Sequence, residues 1–303
     1  MTLVSVLLVL ASAFVHASWN MLGRRSRPVG AYYLVATLVG VLLLAPFVIL
    51  WREELALMPA ATWWRLPLAG LFQTLYLAGL AGAYRSNDMA VAYPFARALP
   101  VLLVPAAAHV LGQGDPVTAL GLAGMIAVTL GILILPHPSF RRLAWRSFGG
   151  GWLLYAMLAG VGTAGYSIVD DGALSAFRAA VGSAGGGGVR AALIYAMLES
   201  LAAAVGLAGL ILIAGGPRRI ARDLRSIRLS EAAISGVGII LAYGLVLVAY
   251  GYARNVSYVV AFRQVSLPIG VFMAMAILKE QVNGPRIVGT AVLLAGLVMV
   301  SLG

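Results

Sequence analysis

Apolar stretches of about 20 residues recur along this chain, separated by short clusters of charge. A helix of that length spans a hydrocarbon core of about 30 Å. In lipid every backbone polar group needs an internal partner, so such stretches fold as helices. The segments fall at 2–22, 30–51, 64–84, 88–111, 116–136, 149–170, 190–214, 230–252, 256–278 and 285–303. The expected fold is therefore an all-α integral membrane protein of ten transmembrane helices. Composition agrees: 62% of the 303 residues are hydrophobic and 10% are charged, against roughly a quarter charged in soluble domains.

A net charge of +11 would suggest nucleic acid in a soluble protein. Here it reflects arginine-rich loops, and no nucleic-acid partner is expected. The chain has no cysteine, and His16, His109 and His137 are scattered. Neither a metal site nor another cofactor is expected. The "ASA" at 11–13 resembles a cleavage site, but no basic residue precedes the apolar stretch, so the first segment reads as an uncleaved helix.

Shifting the chain by 168 residues aligns 84–135 with 252–303 without a gap. Tyr84 then meets Tyr252, Asn87 meets Asn255, Pro100 meets Pro268 and Gln113 meets Gln281. The offset continues backward to Gly70 and Gly238. Residues 1–140 and 141–303 thus read as two five-helix repeats of one transmembrane domain. An odd helix number per repeat inverts the second relative to the first, the architecture of secondary transporters with a site between the halves. The "SAGGGG" stretch at 183–188 reads as a flexible connection. Connections after the odd-numbered helices hold fourteen lysines and arginines, the other connections five, and two arginines lie inside helices, together the chain's 21. The positive-inside rule then puts both termini outside.

Ten helices in two halves, "HASWN" (16–20) closing the first helix, and proline-bearing fourth and ninth helices followed by "LKEQVNGPRIVG" (278–289) resemble the EamA family of the drug/metabolite transporter superfamily. The resemblance covers essentially the whole chain. It implies a carrier of small metabolites such as amino acids in a bacterial inner membrane, often proton-coupled or exchanging. It also implies that helix one borders the central pathway. Many members are thought to have cytoplasmic termini, opposite to the charge count.

Several residues could carry transport. Arg97 and Arg263 lie inside helices, where an arginine costs about 2.5–3.5 kcal/mol on insertion scales and so faces the bundle interior. Either could grip a carboxylate or phosphonate through paired hydrogen bonds, or pair internally with Glu199. Under the 168 offset they are two residues out of register, so a site built on them is asymmetric. Pro94, Pro100 and Pro268 each remove a backbone hydrogen bond. With Pro100 and Pro268 equivalent, both halves are expected to kink the same helix at the same depth, either to line the pathway or to pack a curved bundle.

His16, Trp19 and Asn20 share one face of helix one. Gln73 with Tyr76, Tyr93 with Arg97, and Tyr166 with Asp170 are further same-face pairs. Asp170 and Asp171 are expected at the membrane edge, in solvent. Glu199 is the expected proton-coupling group. Glycine and alanine runs such as "GLAG" (121–124) are read as close helix packing alone.

The favoured reading is a secondary transporter of a small polar metabolite, an anion or zwitterion, moving it by alternating access. Its partners would be that substrate, membrane lipid and a coupled proton, in a monomer or a homodimer. A multidrug exporter would want a dominant buried carboxylate, and a lipid-carrier flippase would use the same arginines on phosphate. No GxSxG, HExxH or GxGD motif is present, so no enzyme is expected.

Overall fold

The computed structural model describes residues 1–23, 29–85, 89–137, 139–140, 151–182, 186–279 and 283–303. The basic stretches holding Arg24, Arg25 and Arg27 and holding Arg141, Arg142 and Arg146, the first three residues of "SAGGGG", and the repeat residues Asn87 and Gln281 lie outside the described residues.

The helices are α1 (Leu3–Gly23), α2 (Gly30–Leu50), α3 (Arg52–Ala56), α4 (Ala60–Arg85), α5 (Met89–Leu111), α6 (Ala119–Ile134), α7 (Gly151–Val181), α8 (Gly187–Ser226), α9 (Leu229–Tyr250), α10 (Val256–Phe262), α11 (Ser266–Leu278) and α12 (Gly284–Leu302). A 3-10 turn, Arg263–Val265, joins α10 to α11. Among the described residues, nine helical spans are long and apolar enough to cross a bilayer, and Ala119–Ile134 is a shorter apolar helix. The chain is an all-α, multi-pass membrane protein. Large apolar side chains such as Leu42, Leu50, Val110 and Ile213 stand exposed along these helices, where lipid rather than water is their solvent.

Lipid offers no hydrophobic drive for helices to associate, so close backbone packing takes over. On the α6–α12 contact, a methyl group added at Gly131 would stand 2.7 Å from Gly289 O, and one at Gly124 would stand 2.8 Å from Gly296 O. The two glycine pairs are reached in opposite chain directions, as antiparallel helices require. Elsewhere α4 lies along α7 and α1 along α9; α2 packs on both α8 and α9; and α4 also packs on α8. The fourth helical span, α5, packs on α7, while α10, the turn and α11 pack on α1.

Three expectations are corrected. First, α7 does not end at residue 170 but runs to Val181. Asp170 and Asp171 therefore lie within the helix, and Asp170 is buried (0% exposed). The apolar positions Ala173, Leu174 and Phe177 continue the buried face past them. Second, α8 runs to Ser226 rather than 214, through a kink at Gly216, whose φ of 66° suits glycine, followed by Pro217. Third, the two proline-bearing helices do not break alike. Pro94, Pro100 and Pro105 all sit within the unbroken α5. The corresponding span of the second half is interrupted at Arg263–Val265, just ahead of Pro268. Proline at 268 deprives the Gln264 carbonyl of its helical donor, and the chain tightens there into a 3-10 turn.

Candidate functional site

A cavity of about 40 Å³ lies where α1, α4, α7, α9 and the 3-10 turn converge. Its polar walls are His16, Trp19, Gln73, Tyr76, Tyr166, Tyr243 and Arg263, with Leu77, Ile239 and Ala242 between them. At roughly 10–15 Å³ per water in this measure, it has room for a few waters and is far below the roughly 300–1,000 Å³ of ligand pockets. The helices are closed around this site. A smaller cavity of about 10 Å³, on the α2 side, shares Gln73, Leu77, Ile239 and Tyr243 with the first.

Six of the residues singled out in the sequence come together here: His16, Trp19, Gln73, Tyr76, Tyr166 and Arg263. The spacing of α1 explains its share, since i and i+3 place His16 and Trp19 on one face. Their rings meet edge to face, 5.1 Å between centroids. Tyr76, Tyr166 and Tyr243 form a run of edge-on contacts at 5.9 Å each. The phenols of Tyr76, Tyr166 and Tyr250 stand around the Arg263 guanidinium. Within this wall Arg263 Nη1 is buried and meets no acceptor, and the Gln73 Oε1 and Trp19 Nε1 atoms are likewise buried without partners. A buried donor or acceptor left unmade is costly. These three are unused hydrogen-bonding capacity at one spot.

Asn20 and Tyr93 stand one layer away. Asn20 Nδ2 donates to the His16 carbonyl (3.0 Å) and to Tyr93 Oη (3.3 Å), and Tyr93 Oη lies 3.4 Å from His16 Nε2. This small network holds the His16 ring at the cavity edge.

Arg97 is not among the cavity walls. Its Nη2 donates to Ser266 Oγ (2.7 Å) and to the carbonyl of Arg263 (3.2 Å). The anticipated pairing of Arg97 with Glu199 does not occur. Instead Arg97 reaches from α5 across to the break between α10 and α11, and adds a donor to the backbone there. Irregular backbone at membrane depth needs such a partner. Arg97 is 8% exposed; its Nη2 has two acceptors, while its Nε is buried without one.

Glu199 on α8 is bonded by the hydroxyl of Tyr243 on α9. Tyr243 is the wall residue that sequence reasoning missed. Under the 168 offset it faces Leu75, so the repeat gave no signal for it. Ser266 was missed for the same reason: its value lies in where α5 places Arg97. Among the described residues no group of three or more histidines and acidic residues could hold a metal ion.

No family model and no curated protein matches the chain. Among solved structures 23 chains match. One crystal structure superposes with a TM-score of 0.69 at 16% identity, covering 98% of this chain and 96% of its own. At that identity the likeness concerns the fold: the whole helical arrangement described above is shared with a known structure, end to end.

Proposed function

We propose that this chain is a secondary transporter of a small polar metabolite, anionic or zwitterionic, working by alternating access in a bacterial inner membrane and related to the EamA family. The observation that carries the reading is the buried, unpartnered Nη1 of Arg263 in an aromatic-walled cavity between α1 and α4 on one side and α7 and α9 on the other. A carboxylate or phosphonate oxygen would accept the charge-assisted hydrogen bond that Arg263 Nη1 lacks. The aromatic faces would pack on the rest of the molecule.

Two inverted repeats of five helices are supported by the packing pattern. Exchanging α1 with α7, α2 with α8, α4 with α9, α5 with α10–α11 and α6 with α12 turns the α4–α7 contact into α1–α9. It likewise turns α2–α9 into α4–α8, and α5–α7 into the contact of α10–α11 with α1. The α2–α8 and α6–α12 contacts map onto themselves. A site on such an axis opens to either side by rocking the halves, which fits a cavity too small for a metabolite in the closed arrangement.

A second reading gains from the burial of Asp170 beside Glu199. Two buried carboxyl groups, rather than the single one counted from sequence, would suit a lipophilic cation. The experiment that separates the readings is thermal unfolding of the detergent-purified protein against amino acids, phosphonates and lipophilic cations, with Arg263→Ala alongside. A ligand at 100 times its Kd stabilises by about 2.7 kcal/mol. Stabilisation by an anion or zwitterion, lost in Arg263→Ala, is the expected result. Stabilisation by cations alone, or an anion effect indifferent to the substitution, would sink the anionic reading.

A further inference from the structure

Just behind Tyr243, two acidic side chains meet in the core. Asp170 on α7 and Glu199 on α8 are both 0% exposed. The Tyr195 hydroxyl donates to Asp170 Oδ1 at 3.0 Å. The Tyr243 hydroxyl lies 2.6 Å from Asp170 Oδ2 and also in hydrogen-bond contact with Glu199 Oε2. Facing the pair are Asp171 and the Arg263 guanidinium, and Tyr250 from α9. From α4, Arg65 reaches α7 two residues beyond Asp170, donating to Gly172 O at 3.2 Å.

Counting hydrogens decides what this cluster holds. A phenol carries one hydrogen, and an ionised carboxylate carries none. With both acids ionised, Tyr243 could donate to one of its two oxygen neighbours only. The other contact would be two lone pairs pressed together, one of them charged, in a place closed to water. One added proton removes the conflict: Glu199 O–H donates to Tyr243 Oη while Tyr243 O–H donates to Asp170, or the whole chain runs in reverse. Like-charged carboxyls sharing a site hold a proton between them for the same reason.

One further acceptor points the same way: Glu199 Oε1 is buried without a partner, which a neutral carboxyl tolerates better than a charged one. We infer that Asp170 and Glu199, bridged by Tyr243, form a proton-binding site that holds one shared proton while the helices are closed. Tyr243 belongs at once to this site and to the cavity wall, so a molecule that displaces its ring breaks the bridge and lets the proton go. That last step rests on the transporter reading, and it names the coupling ion; the site itself does not depend on it.

The test is infrared spectroscopy of the purified full-length protein in lipid nanodiscs, titrated with acid and base and with no added solute. A carbonyl band of one protonated, hydrogen-bonded carboxyl is expected at neutral pH. It should vanish in Glu199→Gln and in Asp170→Asn, and shift in frequency in Tyr243→Phe while keeping its intensity. Gel filtration and unfolding temperature check that each variant is folded. Absence of the band from the wild type overturns the proposal whether or not the variants fold, and so does its survival in both carboxyl variants. Transport of a stabilising panel compound in proteoliposomes should respond to an imposed pH gradient. Transport that ignores the gradient while the band is present overturns the coupling role. Absence of transport with the band intact counts against the transporter reading instead.

Discussion

Arg97 and Arg263 are both arginines at membrane depth, and the molecule places them differently. Arg97 has been given acceptors: Ser266 Oγ and the Arg263 carbonyl close on its Nη2. Arg263 has a buried Nη1 with none, and a cavity in front of it. An internal charge is expensive in either place. Arg97 directs its Nη2 at the protein's own acceptors, although its Nε is buried without one, and so acts as a structural clamp. Arg263, on the cavity wall, keeps its Nη1 for something that arrives. The contrast also follows a difference between the two halves: the unbroken α5 supplies a side chain that bonds Ser266 Oγ and the Arg263 carbonyl at the break before Pro268.

The comparison breaks most visibly in ligand affinity. Removing one partner of a buried, hydrogen-bonded charge pair costs 2–5 kcal/mol or more. Arg263→Ala is therefore expected to weaken binding of a stabilising anion by roughly 30-fold or more, read by calorimetry on the purified protein. Arg97→Ala should change that Kd little, provided the protein folds. If Arg97→Ala costs affinity as much as Arg263→Ala does, the division of labour is wrong.

Stability should show the reverse order. In Arg97→Ala, Ser266 Oγ and the Arg263 carbonyl lose their charged donor, a loss of about 1–3 kcal/mol. Arg263→Ala removes a cation with an unused donor, so the ligand-free protein should unfold at the same or a higher temperature, as sites built for function often allow. A double-mutant cycle of Arg97→Ala with Ser266→Ala isolates the side-chain bond itself, for which about 0.6–1.7 kcal/mol is the expected coupling in a membrane. A coupling near zero would mean that Arg97 acts through the backbone carbonyl alone.

Both arginines were visible in the sequence, because a charge in an apolar run stands out. Their different roles were not visible. The repeat predicts that equivalent helices behave alike, yet one proline position sits inside a continuous helix and the other just beyond a 3-10 turn. Six cavity residues were legible because they combine a polar head with helical spacing on apolar segments. Tyr243 was hidden: a tyrosine in a membrane helix carries no mark of what it touches, and its bridge joins α7, α8 and α9, far apart in sequence. Asp170 misled for a physical reason. Two adjacent aspartates ordinarily mean water, and only the neighbouring hydroxyls of Tyr195 and Tyr243 let one of them stay inside.

A third arginine sharpens the contrast by standing at the rim. Arg190, at the start of α8, binds Glu54 of α3 and lies 6.0 Å from the centre of the Trp51 ring. Its side chain is 40% exposed, so water competes for the same hydrogen bonds and the pair should contribute little. The Arg190 guanidinium holds the Glu54 carboxyl below the usual carboxylate range. A carboxyl shifted downward adds stability that is present above its unfolded pKa and is lost as pH falls through its folded one. Glu54→Gln should therefore lower the unfolding temperature slightly at neutral pH. The difference from wild type should close as the solution is acidified below the ordinary carboxylate range, and shrink with added salt. A gap that persists in acid would mean that Glu54 matters through packing rather than through its charge.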